Sequence, residues 1–245
     1  MRALPDSELL DVWERALEQP PLERALALLA AATGTGVGEL ALLSIGERDA
    51  LLLDLREQTF GAQLSSVAIC PACGEPLEMS FHVAQLRVAT PEDKPPSSLS
   101  LNVAGYEVSF RLPNSLDLSA LASGYEDVAT ARRALFERCL LAARRGAEET
   151  PAGALPPEVV DAIVERMGQA DAQGDMQFAL TCPRCAHAWL EAFDIASFFW
   201  TELNVWAQRT LREVDALART YGWRETDILS MSPRRRRFYL SMFSE

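Results

Sequence analysis

Two short stretches decide the fold of this chain: Cys70-Pro71-Ala72-Cys73-Gly74 and Cys182-Pro183-Arg184-Cys185. In each stretch a tight turn presents two thiolates to one metal ion, and two such turns supply the four ligands of a tetrahedral site. The stretches are separated by 108 residues, positions 74–181, whereas a compact zinc ribbon has a gap of about 15–20 residues. The sequence therefore predicts a split ribbon, with most of a domain inserted between its halves.

The chemistry of the four cysteines favours one structural zinc ion per chain. Four thiolates close the coordination shell of zinc, so no position remains for a catalytic water. An iron ion in a rubredoxin-type site, two separate redox dithiol pairs and the absence of any metal remain alternatives. The predicted metal ligands are Cys70, Cys73, Cys182 and Cys185.

The remaining cysteine and the two histidines are interpreted as ordinary structural residues. Cys139 lies among apolar residues in a helical pattern, which is typical of a small core side chain. His82 and His187 fall in strand patterns, and His187 is too close to Cys185 to complete the same site comfortably. With two histidines in the chain, a histidine-based hydrolase or a catalytic metal site is poorly supported. We therefore predict no catalytic residues, no small-molecule substrate and no enzyme activity.

Composition limits the classes of partner and location. The chain has 245 residues, 49% of them hydrophobic, which is enough for one large core or two modest ones. The formal net charge of −12 disfavours a nonspecific grip on nucleic acid or on an anionic membrane. No secretory signal is recognisable, and no apolar run reaches the roughly 18 residues of a membrane helix. Five cysteines without a signal favour a reducing cytoplasm.

Hydrophobic periodicity predicts an α+β fold, in which N- and C-terminal helices flank the split ribbon and its mostly helical insertion. The five predicted regions are 1–61 (N-terminal helices), 62–89 (first half of the ribbon), 90–175 (inserted hairpin and helices), 176–193 (second half of the ribbon) and 194–245 (C-terminal helices). We call each Cys-Pro-x-Cys turn a zinc knuckle. A strand precedes and a strand follows each knuckle, so each knuckle forms the turn of a hairpin, and we expect the two hairpins to pair.

Local signals give limits for several elements. They are a capping box at Ser44–Glu47 before a helix that ends near Gly61, a polar linker over Thr90–Ser98, a hairpin turn at Ala104-Gly105, a helix from about Leu116 to Arg145, a helix over Ile195–Tyr221 capped by Asp194 and stopped by Gly222, and a last helix over Pro233–Phe243 capped by Ser232.

Two features near the C-terminus point to contacts. Arg234 to Arg237 form a dense basic run, which we expect to pair with acidic surface on this chain or on a partner rather than with nucleic acid. Phe198, Phe199 and Trp200 are consecutive and cannot share one helical face. A protein interface and a wide core contact both remain open for these aromatic residues.

Several features, in this order, resemble the baseplate hub assembly chaperones of contractile phage tails of the T-even type, which have relatives in phage-derived contractile injection systems. They are the helix Arg48–Arg56 running into Phe60-Gly61, the Cys-Pro-x-Cys-Gly knuckle with its split partner, Glu213–Ala218, Tyr221-Gly222-Trp223, Ile228-Leu229 and the segment from Arg234 to Leu240.

This resemblance implies a non-catalytic assembly factor or minor baseplate component that contacts baseplate or tail proteins. It carries no functional residue over beyond the four cysteines. The expected location is the cytoplasm, with incorporation into a tail or injection particle as the alternative. A zinc-ribbon nucleic-acid or transcription-associated module is the alternative function, and it predicts salt-sensitive nucleic acid binding.

Overall fold

The computed structural model describes residues 1–88, 97–122, 124 and 127–242 of the chain. Helices and antiparallel strands both contribute to it, which confirms the predicted α+β class. The elements form two compact units, residues 1–37 with 194–245 and residues 38–193. Among the described helices, none is long and apolar enough to cross a membrane.

The elements of the described residues follow in chain order, with two short 3-10 turns at Ala152–Ala154 and Ala172–Gly174. The helices are α1 (Asp6–Ala16), α2 (Pro21–Thr33), α3 (Val37–Leu40), α4 (Ile45–Phe60), α5 (Val83–Leu86), α6 (Ser115–Leu121), α7 (Val128–Cys139), α8 (Pro157–Ala170), α9 (Ile195–Tyr221), α10 (Glu225–Leu229) and α11 (Pro233–Ser241). The strands are β1 (Gln63–Ile69), β2 (Pro76–His82), β3 (Leu99–Val103), β4 (Tyr106–Phe110), β5 (Leu140–Arg145), β6 (Glu148–Glu149), β7 (Gln177–Thr181) and β8 (Ala188–Ala192).

The unit that contains both ends of the chain is helical and is built on α9. The Asp194 side chain accepts a hydrogen bond of 2.9 Å from the Ala196 N–H, and Gly222 ends the helix in the left-handed conformation (φ +68°). Both limits agree with the sequence prediction. Helices α1, α2, α10 and α11 pack against α9. The buried residues of α9 recur every three to four positions and include Phe199, Leu203, Ala207 and Leu217.

Helix α4 is the longest described helix of the second unit and begins with the predicted capping box. The Glu47 N–H donates to Ser44 Oγ (3.1 Å), and the Ser44 N–H donates to the Glu47 carboxylate (2.9 Å). Gly61, at φ +88°, stops the helix. Charged residues of α4 are buried as well, and two of them pair with each other: Arg48 forms an ion pair of 2.7 Å with Asp49.

A four-stranded antiparallel sheet of order β3-β4-β5-β6 follows the first knuckle in sequence. Strands β3 and β4 form the predicted hairpin, whose turn places Ala104 at φ +50° and Gly105 at φ +78°. Two positive φ angles in succession are typical of the type I′ turn that matches the twist of a hairpin. Helix α8 packs on this sheet, with Val159 and Ile163 fully buried in the shared core.

The predicted continuous helix over Leu116–Arg145 is wrong. The chain instead forms α6 and α7, and the segment after Cys139 is strand β5. Pairing with β4 satisfies the backbone of β5 and buries Ala143 in the core of the sheet, and such tertiary contacts override helix propensity. Gly146 (φ +64°) then turns the chain into β6.

Other differences are small. Strand β2 ends at His82 and α5 begins at Val83, because Val83 and Leu86 are both buried one helical turn apart. Positions 90–96 of the predicted linker over Thr90–Ser98 lie outside the described residues, and so does Phe243, the predicted end of the last helix.

Candidate metal centre

The first Cys-Pro-x-Cys turn connects β1 to β2. The Cys70 N–H donates to the Glu75 carbonyl (2.9 Å), and the Gly74 N–H donates to the Cys70 carbonyl (2.9 Å). Gly74 adopts φ +73°, which glycine reaches without steric cost. The strands pair up to Ile69 opposite Pro76, so both ends of the turn are held by the ladder.

The second turn, between β7 and β8, repeats this hydrogen-bond pattern. The Cys182 N–H donates to the His187 carbonyl (2.8 Å), and the Ala186 N–H donates to the Cys182 carbonyl (2.9 Å). Ala186 thus occupies the place that Gly74 has in the first turn, and it adopts φ +59°. This left-handed conformation costs an L-residue about 1–2 kcal/mol. The second turn therefore holds the same geometry with a strained residue.

The four thiols that the sequence predicts as ligands lie together. The Sγ atoms of Cys70 and Cys185 are 3.7 Å apart, those of Cys73 and Cys182 are 3.6 Å apart, and all four lie within 4.8 Å of one another. The thiols are free, and the sulfurs of a disulfide would be only about 2.05 Å apart. A tetrahedral ion with Zn–S bonds of about 2.3 Å separates its sulfurs by roughly 3.8 Å. The cluster therefore fits one thiolate-bound metal ion.

Burial of the cluster is uneven. Cys70 and Cys182, the first cysteines of the two turns, are each 1% exposed. Cys73 is half-buried and Cys185 is exposed. The site is therefore closed on the side of the strands and accessible from the side of Cys185.

The turns and the crowding of the thiols move their pKa values in opposite directions. Burial raises the pKa of Cys182, but the N–H groups of Cys185 and Arg184 and the neighbouring thiols lower it to about 7. The N–H of Glu75 lowers the pKa of Cys73, but burial and hydrogen bonds with the other thiols raise it to about 12. Metal ligands must be thiolates, so binding of a metal ion releases the protons that this cluster holds.

Side chains hold the two hairpins together. The hairpins are separate two-stranded sheets in the described strands, so the expected pairing does not take the form of a shared hydrogen-bond ladder. The Phe81 ring lies 4.8 Å from that of Phe178 and 5.6 Å from that of Phe193, and Phe178 and Phe193 are also 5.6 Å apart. At the knuckles, Arg184 forms an ion pair of 3.1 Å with Glu75.

No sequence motif groups these three phenylalanines in advance, but two of them share a position relative to the cysteines. Phe81 lies eight residues after Cys73, and Phe193 lies eight residues after Cys185. The same offset from the second cysteine of each knuckle places the two rings at equivalent points of the two hairpins. Aromatic contacts of this kind contribute about 0.5–1.5 kcal/mol each beyond the area they bury.

The other cysteine and the histidines lie outside the thiol cluster. Cys139 is buried at the end of α7, and burial raises its pKa to about 11, so the thiol is protonated at neutral pH. His82 and His187 are exposed. The His187 ring stacks on Trp189 at 6.0 Å. These positions agree with the structural roles predicted for them.

The basic run near the C-terminus places one arginine in the interior. The Arg236 side chain is 1% exposed and donates to the carboxylates of Asp6 (2.7 Å) and Glu213 (3.3 Å). It also donates to the Met231 carbonyl (2.9 Å). For this arginine, the predicted pairing with acidic groups of the same chain is confirmed. The other three arginines of the run are exposed.

Comparison with known proteins yields a family match. Residues 22–200 match the family model described as T4 bacteriophage base plate protein. No significant match was found among curated proteins or among solved structures. The matched range includes all four clustered thiols and ends within α9, so that α10 and α11 lie outside it.

Proposed function

The chain belongs to the family of T4 bacteriophage base plate proteins, and from this premise we propose that it is a non-catalytic assembly chaperone for the baseplate hub of a contractile phage tail or phage-derived injection system. The observation that carries the proposal is the family match, which covers well over half of the chain and both knuckles. Membership in a baseplate family supports contacts with other baseplate or tail proteins. A minor component that stays in the particle is the alternative form of the same role.

The proposed action is the temporary burial of a partner's surface before that partner enters the baseplate. An acidic chain is suited to this task, because a net charge far from zero keeps it soluble and limits self-association. The expected location is the cytoplasm during assembly, and the permanent component would be found in the finished particle.

We further propose that the thiol cluster holds one structural zinc ion. Closed four-thiolate sites built from two knuckles are a common structural form of zinc, and the Sγ separations fit its tetrahedral geometry. When bound, the ion supplies a cross-link and neutralises thiolate charge. The residues that hold it are Cys70, Cys73, Cys182 and Cys185, with the backbone N–H groups of both turns directed at the sulfurs.

Substitution of single cysteines tests the metal site. We expect Cys70→Ser and Cys182→Ser each to lose one zinc ion per chain and to lower the melting temperature, because each removes a ligand. Cys139→Ala is the matched control, since it changes a buried cysteine outside the cluster. Elemental analysis of the purified variants measures the metal. Unchanged zinc in both serine variants would contradict the site, and stoichiometric iron in the wild type would contradict the choice of metal.

The absence of catalysis is also a proposal. A metal ion bound by four thiolates has no open position at which it could activate water or polarise a substrate. The proposed role of the site is therefore to hold distant parts of the chain together. Cys139, whose pKa is raised by burial, is a poor nucleophile as well.

The role in assembly is tested by recovering the tagged chain from cells that produce the particle. Bound proteins are identified separately in the soluble fraction and in purified particles. Baseplate proteins bound to the chain in the soluble fraction, with no chain in the particles, would support the departing chaperone.

Two other outcomes decide between the remaining roles. The presence of the chain in finished particles at fixed stoichiometry would make it a permanent component. Recovery of nucleic acid or unrelated enzymes, without baseplate proteins, would contradict the assembly role altogether.

A further inference from the structure

The C-terminal helices form a small layer on the end of α9. Trp223 and Tyr239 pack against a buried cluster of Val214, Leu217 and Ile228. The Trp223 ring lies 4.9 Å from the Tyr239 ring in an edge-to-face arrangement. These contacts fix α11 against α9 by one of its faces.

The buried Arg236 fixes α11 a second time. Its guanidinium group contacts both Asp6 of α1 and Glu213 of α9, so one face of α11 is tied to two other helices. Because successive residues of a helix point about 100° apart, the neighbours of an inward-facing residue project in other directions. The helix therefore presents a defined surface to solvent.

That surface is basic and aromatic. Arg234, Arg235, Arg237 and Phe238 are exposed, and with Ser232 they line a shallow groove of about 700 Å³. The Phe238 side chain is 63% exposed. Within the part of the chain that the structure describes, these three arginines form no ion pair with a carboxylate; Arg235 lies over the Tyr239 ring at 5.7 Å. We call the four exposed residues the arginine–phenylalanine surface.

The charge of this surface is opposite to that of the chain. The four arginines of the run carry +4 of a formal net charge of −12, so the rest of the chain carries −16. Arginine and aromatic side chains are enriched in protein interfaces, and arginine binds carboxylates through paired hydrogen bonds. A cluster of exposed arginines that forms no ion pair with the described carboxylates is complementary to acidic groups of a partner.

We propose that the arginine–phenylalanine surface docks an acidic segment of a protein partner, with arginines on its carboxylates and Phe238 against an apolar side chain. This inference rests on the proposed function, because the partner would be a baseplate or tail protein. Charge screening favours a short segment over nucleic acid. At physiological salt the screening length is about 8 Å, so a short peptide senses mainly the local arginines, whereas an extended polyanion also meets the acidic remainder of the chain.

The test uses the full chain purified with its metal and three labelled probes. They are a decapeptide of alternating glutamate and leucine, the same decapeptide with glutamine in place of glutamate, and a ten-nucleotide thymidine oligomer. Fluorescence anisotropy measures their binding. We expect the glutamate peptide to bind at least about tenfold more tightly than the glutamine peptide, and its affinity to fall as salt is raised.

Matched variants separate local from global charge. Arg234→Glu combined with Arg237→Glu should lower the affinity for the glutamate peptide at least about tenfold. Arg132→Glu combined with Arg166→Glu makes the same change in net charge at exposed positions elsewhere and should leave the affinity within about twofold. Phe238→Ala should lower the affinity for both the glutamate and the glutamine peptide. Circular dichroism of each variant verifies that the helices remain intact.

Several outcomes would overturn the inference. Equal binding of the two peptides, or equal effects of the two double variants, would show that the arginines do not recognise carboxylates locally. Tighter binding of the oligonucleotide, lost in the Arg234/Arg237 variant, would assign the surface to nucleic acid. Concentration-dependent self-association of the wild type, lost in the same variant, would make a second copy the occupant.

Failure of this inference is distinguishable from failure of the proposed function. If the Arg234/Arg237 variant still recovers the same baseplate proteins from cells as the wild type, the docking surface is wrong and the assembly role stands. If the wild type itself recovers none of them, the assembly role is wrong whatever the peptides show.

Discussion

The two knuckles differ at one backbone position, and exchanging its residues should change stability in opposite directions. Gly74 and Ala186 follow the second cysteine of each turn, donate to the carbonyl of the first, and have φ of +73° and +59°. Ala186→Gly removes a strained Cβ, whereas Gly74→Ala introduces one. A Cβ at Gly74 would meet no atom within 4 Å outside its neighbours, so the second change tests backbone conformation without a clash.

The expected magnitude follows from two opposing terms. The left-handed conformation costs alanine about 1–2 kcal/mol relative to glycine. Glycine makes the unfolded chain more flexible, which offsets about 0.4–1 kcal/mol of that gain. We therefore expect Ala186→Gly to stabilise the two hairpins by about 0.5–1 kcal/mol and Gly74→Ala to destabilise them by a similar amount. In a protein of this size, 1 kcal/mol shifts the melting temperature by about 2–4 °C.

Amide hydrogen exchange is the suitable assay because it reads the hairpins directly. Exchange of the β1–β2 and β7–β8 amides is compared among the wild type, both single variants and the double exchange, with metal content verified for each. Amide protection in the variant that carries both substitutions should return close to that of the wild type, because the two effects are similar in size and opposite in sign. Strands β3 and β4 serve as an internal reference and should not change.

A specific result would refute this reasoning. If Ala186→Gly lowers protection of β7 and β8, then the alanine methyl group contributes packing that outweighs its strain. If Gly74→Ala leaves protection unchanged at constant metal content, then the left-handed conformation at the knuckle is not a significant cost once the metal is bound.

Three further predictions concern other parts of the molecule. Gly46→Ala should cost about 2 kcal/mol or more, because its Cβ would lie 2.2 Å from Oδ1 of Asp171, whose other carboxylate oxygen, Oδ2, accepts the Gly46 N–H. Urea unfolding measures this cost, with Gly38→Ala, an open position, as the control. Arg236→Met should cost about 2–3 kcal/mol, because it removes a buried cation from Asp6 and leaves the part-buried Glu213 paired with Arg209 alone. Arg235→Met, at an exposed position, should change the melting temperature little. Zinc affinity, measured by chelator competition, should fall at least about 100-fold from pH 7 to pH 6, because two or more thiols with raised pKa values must lose protons before they bind. An affinity that falls less than tenfold would contradict binding by these four thiols.

Features that depend on neighbours in sequence could be predicted. The capping box at Ser44, the cap at Asp194 and the stop at Gly222 each act over a few residues, and the structure has all three. The hairpin turn at Ala104-Gly105 is of the same kind, because a glycine at the second position suits its positive φ. The four cysteines were predictable as a set, since the turn chemistry of each knuckle is local.

Features that depend on distant contacts could not be predicted in the same way. The residues of Leu140–Arg145 favour a helix, and only the open edge of β4 makes them a strand. The burial of Arg236 depends on carboxylates 23 and 230 residues away along the chain. A run of four arginines does not reveal which of them faces inward, because the answer lies in the packing of three helices.

The structure indicates why a metal ion would matter to the second unit. A two-stranded hairpin is marginally stable by itself. The hairpins share the phenylalanine contacts and an exposed ion pair between Arg184 and Glu75, and an exposed pair contributes only about 0–1 kcal/mol. By the chain-entropy argument, a cross-link that closes a loop of about 100 residues contributes about 4–5 kcal/mol, which exceeds either of these contacts. The inserted sheet has its own core around Phe110, Val159 and Ile163, so it does not depend on that cross-link in the same way. The metal would therefore mainly keep the two hairpins folded and in place. These hairpins are the segments through which the chain enters and leaves the insertion.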